Sequence, residues 1–229
     1  MLNYIWLDDK SSIINQLPRK FKSAAILLHP FIQMPLGWEQ NKRKNEFEHI
    51  YPTDAEILLS GKPVSWETIV HQSGLRNIEE LAIALKTSIG ALRKEYARED
   101  LADKLNSSIK SDLYYPNEDF PTVFLVNDLL TVLSSKGAKS FSFSDPIQDK
   151  SGNVDFKNLD PSKVSELAQN EVIIADEHLD YAFMNVFDSF ITIIMAKDFS
   201  INDIVKSMKW KALECNKNTN INWYSKALS

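Results

Sequence analysis

The sequence contains very little cysteine and glycine. Of its 229 residues, one is cysteine and six are glycine. A single cysteine cannot form an internal disulfide, which points to a reducing compartment and a cytoplasmic protein. The chain also has no glycine-rich phosphate loop, no dinucleotide-binding fingerprint and no nucleophile elbow. The enzyme classes that depend on those motifs are not indicated, and the sequence favours a protein that is not an enzyme.

Metal ligands and nucleophiles show no recognisable spacing either. The four histidines are scattered and lack zinc spacing: His29, His49, His71 and His178. Asp176, His178 and Asp180 would converge on a divalent metal if they shared a strand face, but a polar turn between two apolar strands is the favoured interpretation. Cys215 is either a nucleophile or a buried structural thiol. We therefore expect no catalytic residue, no metal and no cofactor.

Charge and apolar runs limit the class of partner. The formal net charge of −5 favours solubility and argues against a surface wholly covered by nucleic acid. The longest apolar runs are too short and too interrupted to span a bilayer. Asp8 and Asp9 interrupt the N-terminal segment before any long apolar run, so a signal peptide is not indicated. We expect no membrane partner.

The densest apolar sequence lies between Glu171 and Tyr224. Runs rich in Val, Ile, Phe and Tyr, separated by polar breaks, predict strands at 172–175, 181–187 and 190–196. The apolar spacing of residues 181–187 also fits one face of a helix, and only β-propensity favours the strand.

After Lys197 the apolar period changes to that of a helix. Apolar residues from Ile201 to Met208 recur at helical spacing, and Ser200 is placed to cap them. Leu213 and Cys215, and then Ile221 and Trp223, alternate with polar residues, which predicts a closing hairpin.

The rest of the chain mixes helices with short strands. The strongest helical composition spans residues 78–109, with Gly90 at a turn between two helices. The apolar segment 23–31 is either a strand or a helix. Further helices are predicted at 11–17, 52–60, 65–74 and 161–168, and further strands at 2–7, 140–144 and 153–156. The apolar run 122–133 is a helix or a long strand, and the helix is favoured. Thr53 or Asp54 is placed to cap the helix at 52–60, and Ser65 the helix at 65–74.

These elements predict an α+β fold. A helix-rich N-terminal half should lead into a mostly antiparallel sheet with helices packed on one face. The proline-bracketed acidic loop 114–121 is the best boundary, which gives a helix-rich region 1–115 and an antiparallel α+β region 116–229. One compact domain over the whole chain is the alternative.

Residues 81–96 resemble the two-helix core of a bacterial helix-turn-helix. In that arrangement a second helix presents the side chains at its N-terminus to a DNA groove. The residues that would then face DNA are Thr87, Ser88, Ile89, Arg93 and Lys94. An ordinary helical hairpin, or one continuous helix, is the structural alternative.

Trp38 is the candidate for a protein interface. Its neighbours Gly37, Glu39 and Gln40 are polar, so we expect it to be the most exposed of the five tryptophans. Tryptophan is enriched at protein interfaces because it buries a large area while keeping a polar tip.

Two segments, ILLHPFIQMPLGWEQNKRKNEFEHIYP at 26–52 and IGALRKEYAREDLADKLN at 89–106, resemble a small family of uncharacterised proteins from Bacillus-type bacteria. That resemblance covers most of the chain and implies no activity, cofactor or catalytic residue. The C-terminal unit also resembles bacterial immunity or inhibitor proteins in architecture. The leading hypothesis is therefore a non-enzymatic protein that binds a protein partner, and the alternative is a DNA-binding regulator that uses residues 81–96.

Overall fold

The computed structural model of the chain describes residues 1–45, 47–159, 164, 167 and 171–225. Its secondary structure confirms the α+β class. Seven α-helices lie in the described residues: α1 (Ile13–Gln16), α2 (Asp54–Ser60), α3 (Trp66–Ser73), α4 (Ile78–Ser88), α5 (Glu99–Ser108), α6 (Val123–Ser134) and α7 (Ile201–Ser207). Ten strands accompany them: β1 (Ser23–Leu28), β2 (Phe31–Gln33), β3 (Lys62–Val64), β4 (Leu113–Tyr114), β5 (Ser140–Asp145), β6 (Lys150–Asp155), β7 (Ile173–Asp176), β8 (Tyr181–Asn185), β9 (Ile191–Ala196) and β10 (Ala212–Glu214).

The chain divides into two compact units. Unit 1 comprises Met1–His29 and Asn117–Trp223, and unit 2 comprises Pro30–Pro116 with the residues from Tyr224 onward. The division of the sequence into regions 1–115 and 116–229 stays a prediction.

Unit 1 is organised around a seven-stranded antiparallel sheet. Its strand order is β10-β1-β9-β8-β7-β5-β6, and every neighbouring pair runs antiparallel. The central strands β1, β8 and β9 are buried along their whole length, because apolar side chains project from both faces of the sheet. The mostly antiparallel sheet predicted from the sequence is confirmed.

Helices α6 and α7 pack on one face of this sheet, as predicted. Helix α6 contacts β7 and β8, and α7 contacts β1 and β9. The strand register places one row of apolar side chains beneath them, and the row belongs to the core cluster together with Leu129 of α6 and Ile201 of α7. The row consists of Ala25, Ile194, Phe183 and Ile174.

The described residues of unit 2 combine four helices with a small sheet. Strands β3, β2 and β4 lie in that order and pair antiparallel. Helices α3, α4 and α5 pack against one another. The capping residues predicted for the first two helices of this unit are confirmed: Thr53 and Glu56 form a reciprocal capping box, and the Ser65 hydroxyl accepts a bond from the Thr68 amide.

The sequence of residues 181–187 fits either a strand or a helix, and in the structure residues 181–185 form a strand. Strand β8 lies inside the sheet and is buried on both faces, which removes the alternation that identifies a half-buried strand. The sequence run therefore fits a helix and a buried strand equally well.

Two predicted strand regions are wrong. Residues 2–7 form no strand, and the Tyr4 hydroxyl instead donates a 2.7 Å bond to the carbonyl oxygen of Asn185. Residues 221–224 form turns, so the predicted closing hairpin is absent. Strand β10 pairs with β1, almost two hundred residues away in sequence, because an open sheet edge satisfies its backbone groups as well as a hairpin partner would. The predicted helix at 161–168 lies largely outside the described residues.

Candidate interaction surface and polar sites

A buried aspartate fixes the loop that follows β2 in unit 2. The Asp112 carboxylate accepts bonds from the backbone amides of Gly37 (2.6 Å) and Glu39 (2.8 Å). Its backbone carbonyl accepts a further bond from the Met34 amide at 2.7 Å. Asp112 has a φ of 68°, a left-handed conformation that aspartate tolerates better than most residues. Residues 34–39 are therefore held by one residue that lies far away in sequence.

Ionic and aromatic contacts join this loop to helix α2. The Lys42 ammonium lies 4.5 Å from the centre of the Trp38 ring and forms an ion pair with Glu56 of α2. The Trp38 ring also makes an edge-on contact with Tyr114, at a centroid distance of 5.9 Å. Glu39 pairs with Arg43, four residues further along the loop. The loop and the helix thus form one connected surface.

Large apolar side chains are exposed on this part of unit 2. Leu36 is 93% exposed, Phe47 83% and Leu59 86%, and Leu58 is also exposed. Leu59 lies three residues from Glu56 on α2, so the two side chains are neighbours on the helix surface. Among the residues of α2, only Ile57 is buried. We call the set Leu36, Phe47, Leu58 and Leu59 the apolar surface.

Trp38 is less exposed than the sequence predicts. It is only partly exposed, because Lys42 and Tyr114 contact its ring. Trp6 of unit 1 is instead 63% exposed. The local polarity of the sequence around Trp38 did not reveal the aromatic partner that is supplied by β4. The role of Trp38 in an interface stays a prediction.

The helix-turn-helix arrangement predicted for residues 81–96 is not formed. Helix α4 ends at Ser88, Gly90 adopts a φ of 73°, and residues 89–98 form turns and irregular loop before α5 begins at Glu99. There is consequently no second helix over 91–96 to place in a groove.

The predicted DNA-facing residues differ in their environments. Thr87 is buried, and its hydroxyl accepts a bond from the Arg98 amide. The Ser88 hydroxyl donates to the carbonyl of Ala84 within α4. Arg93 and Lys94 are exposed in the turns. These four residues are not brought onto one helix face, and their contact with DNA stays a prediction.

Asp176, His178 and Asp180 do not converge. Residues 177–180 form the turn between β7 and β8, and the buried Asp176 carboxylate accepts bonds from the amides of His178 and Tyr181. Asp180 pairs with Lys197 at 3.1 Å. Of the two interpretations of this segment, the polar turn is the one formed.

A different cluster of acidic side chains lies at the end of the unit 1 strands opposite to the β7–β8 turn. Carboxylate oxygens of Glu118, Asp119 and Asp188 lie within 4.8 Å of one another. Burial raises the pKa of Asp119, and the charges of Glu171 and Asp188 raise it further. Such oxygens are the ligand type that Ca²⁺ and Mg²⁺ prefer. An acidic group alone does not establish a metal site, and sequence reasoning missed this one because about 70 residues separate its members.

Two further groups of chemical interest are buried. The His29 ring lies between the Asn117 carbonyl (3.1 Å) and the Thr192 hydroxyl (2.8 Å), and burial lowers its pKa to about 4. Burial raises the pKa of the Cys215 thiol to about 12. Cys215 is therefore the buried structural thiol rather than an activated nucleophile.

A pocket of about 400 Å³ lies in unit 1 between the N-terminal segment and the β5–β6 hairpin. The Tyr4 and Trp6 rings in its wall make an edge-on contact, at a centroid distance of 4.8 Å and an interplanar angle of 65°. Aromatic, charged and hydroxyl side chains line it, among them Tyr4, Trp6, Asp145, Asp149, Lys150 and Ser151.

A family model described as "Protein of unknown function (DUF2711)" matches residues 9–225. The chain belongs to this family. It is similar to the Bacillus subtilis (strain 168) protein named "Uncharacterized protein YwbB", with 47% identity over 224 residues, which cover 98% of this chain and 100% of that protein. No solved structure matches the chain.

The family membership confirms the resemblance drawn from segments 26–52 and 89–106. The family description names no substrate and no partner. None of the helices that the structure describes has both the length and the apolar character needed to cross a bilayer.

Proposed function

We propose that this member of the DUF2711 family is a non-enzymatic binding protein that recognises a partner protein, in the manner of an immunity or inhibitor module. The observation that carries the proposal is the apolar surface of unit 2, where Leu36, Phe47 and Leu59 are each more than four-fifths exposed. Exposed apolar patches on proteins mark sites of interaction when they are contiguous.

Two contacts join the segments that carry Leu36 and Leu59. The Lys42–Glu56 ion pair joins the loop to α2 beside Leu59, and Trp38 lies against Lys42 two residues after Leu36. Charged pairs next to apolar side chains resemble the polar rim and apolar centre of protein interfaces. A protein partner with an apolar face fits this surface better than a small polar ligand does.

The anchoring of the loop by Asp112 supports a prearranged surface. Because Asp112 fixes residues 37 and 39 through their backbone amides, little ordering of this loop is required when a partner binds. A surface that is already ordered avoids part of the entropic cost of association. Burying each large apolar side chain in an interface contributes about 1.5–3 kcal/mol before those costs are subtracted.

The test is whether two substitutions on the apolar surface weaken a defined complex. Tagged protein is used to capture stoichiometric partners from the native host, and each partner is then purified and titrated by calorimetry. Leu36→Glu with Leu59→Glu should weaken the complex at least about tenfold, because each change places a charge in the interface.

A matched control is available in unit 1. Phe199 is 81% exposed, so Phe199→Glu makes a comparable change outside the apolar surface and should leave affinity unchanged. Equal affinity of the Leu36/Leu59 variant and the starting protein would refute the proposal. Sedimentation equilibrium tests whether a second copy of this chain occupies the apolar surface. Self-association that is lost in the Leu36/Leu59 variant would show that the surface forms a homodimer, and this result would also overturn the proposal.

A cytoplasmic location is part of the proposal and rests on the single cysteine. The alternative of DNA binding through residues 81–96 has no comparable observation in its favour among the described residues, and it stays a prediction.

A further inference from the structure

The outer edge of the seven-stranded sheet offers a second place for a partner. We propose that strand β6 accepts an extended peptide segment as a further strand, and that the pocket beside Trp6 holds one apolar side chain of that segment. The site lies in unit 1, which does not carry the apolar surface, so the inference goes beyond the proposed function.

The backbone groups of β6 alternate between its neighbour and the outer edge. The Phe156 amide donates a 3.0 Å bond to the Lys139 carbonyl. In an antiparallel pair, residues bonded to the neighbouring strand alternate with residues whose backbone groups point away from it. The hairpin register therefore directs the amide and carbonyl groups of Ser151, Asn153 and Asp155 outward. These three residues are exposed, and β5 is the one strand in the described part of the chain that pairs with β6.

An exposed edge of this kind is a template for another strand. A peptide that adds to a sheet edge gains affinity from main-chain hydrogen bonds and specificity from pockets for its alternate side chains. Strand β6 carries no proline, so each of its outward residues offers both a donor and an acceptor. Their two-residue spacing matches an extended segment of about five residues.

The pocket provides a place for one of the alternate side chains. Ser151 lines it together with Tyr4, Trp6 and Pro146. In an added strand, the side chain opposite Ser151 projects from the same face of the sheet, with the two Cβ atoms about 4.5–5.5 Å apart. That side chain is therefore directed toward the aromatic wall. The pocket volume of about 400 Å³ has room for a large apolar or aromatic side chain.

Asp155 favours a second feature of the segment. Its exposed side chain projects from the same face as Ser151, four residues further along β6. Opposite charges on directly opposed residues of neighbouring strands attract each other. The segment that fits best carries a large apolar residue and a lysine or arginine four residues apart. Because antiparallel pairing is the more stable arrangement, we place the basic residue before the apolar one.

Amide exchange with a defined peptide tests the added strand. The probe is Ac-TKTVTWT-NH₂, whose lysine, valine and tryptophan lie opposite Asp155, Asn153 and Ser151. At a free peptide concentration ten times the Kd, the amides of these three residues should exchange about tenfold more slowly. The amides of Gly152 and Val154 already bond to β5, so their exchange rates should change little.

Two isomeric peptides isolate the backbone bonds. N-methylation of the valine removes an amide that faces β6 and should weaken binding at least about tenfold. N-methylation of the threonine that follows changes an amide that faces away, so it should leave affinity unchanged. Replacing the peptide tryptophan by alanine should weaken binding about fivefold. Trp6→Ala should do the same and should cause no further loss for the alanine peptide.

Proline substitutions provide the matched test in the protein. Asn153→Pro removes an outward amide, a position at which edge strands tolerate proline, and should weaken binding at least about tenfold. Retained protection of the Val154 amide verifies that the hairpin is intact. Glu214→Pro makes the same change on the opposite edge of the sheet, where the Cys215 amide bonds to the Ala24 carbonyl, and should leave affinity unchanged.

Three results would each overturn the proposal: no binding of Ac-TKTVTWT-NH₂, equal affinity of the two N-methyl isomers, or unchanged exchange at Asn153 in the complex. Self-association that is lost in Asn153→Pro would assign the edge to a second copy of this chain and would overturn it as well. Leu59→Glu should leave peptide binding unchanged, so failure here and failure of the proposed protein interface are distinguishable.

Discussion

Replacing Asp112 by asparagine should release one identifiable backbone amide in the loop that carries Leu36. The Asp112 carboxylate accepts from two amides, Gly37 at 2.6 Å and Glu39 at 2.8 Å. An asparagine side chain has one acceptor oxygen and one NH₂ group, so it can satisfy only one of these amides. Asparagine tolerates the left-handed φ of 68° at this position, so the substitution adds little backbone strain.

The magnitude follows from the bond that is lost. A hydrogen bond to a charged group contributes about 1.5–3 kcal/mol, and about 1.4 kcal/mol corresponds to a factor of ten in an equilibrium. In Asp112→Asn, local opening at Gly37 or Glu39 should therefore become about ten- to a hundredfold more frequent.

Native-state hydrogen exchange measures this opening amide by amide. One of the two amides should exchange faster by that factor, while amides in the core of α4 keep their protection. Asp103→Asn makes the same chemical change on the exposed surface of α5 and is the control. Unchanged exchange of both Gly37 and Glu39 in Asp112→Asn would refute the view that this carboxylate holds the loop.

Three further predictions concern stability and reactivity. Burial lowers the pKa of His29 from 6.5 to about 4. As the pH falls, His29 is therefore protonated in the unfolded chain before it is protonated in the folded protein. The free energy of unfolding should decrease by about 3 kcal/mol between pH 6.5 and pH 4. Urea unfolding at both pH values should show that His29→Asn lacks this decrease in the free energy of unfolding. His71→Asn, a change at an exposed histidine, should keep the decrease. Because burial raises the pKa of Cys215 to about 12, Ellman's reagent should modify native protein at pH 8 far more slowly than urea-unfolded protein. A Cβ on Gly61 would lie 2.8 Å from the Ile57 carbonyl oxygen, so Gly61→Ala should destabilise the fold by about 1–3 kcal/mol, seen as a lower urea midpoint; an unchanged midpoint would contradict the close approach.

Local sequence signals predicted the elements whose determinants are local. Helix α6 follows from the apolar run after Thr122, and α2 and α3 follow from their caps at Thr53 and Ser65. The α+β class follows from the same signals, because helical and strand periods occupy different parts of the chain.

Long-range pairing was not predictable in the same way. Strand β10 is paired with β1 rather than with the residues that follow it, and nothing in the local pattern distinguishes the two partners. The helix predicted after Gly90 was inferred from composition, but turns and irregular loop occupy residues 89–98 before α5 begins. Propensity is a weak determinant where tertiary packing competes with it.

The candidate sites depend even more on distant residues. The loop that carries Leu36 is held by Asp112, and the pocket brings Trp6 to the β5–β6 hairpin more than a hundred residues later in sequence. Exposure of Leu59 could not be read from the sequence either, since an apolar residue in a helix normally indicates the buried side.

Site-specific photo-crosslinking shows directly whether the apolar surface of unit 2 contacts a partner protein. A photoreactive phenylalanine analogue is placed at Leu59 and, as a control, at Phe199, and the protein is irradiated in its native host. One discrete crosslinked protein is expected at position 59, suppressed by Leu36→Glu and absent at position 199. No discrete crosslink at position 59, or the same product from both positions, would contradict the proposed interface.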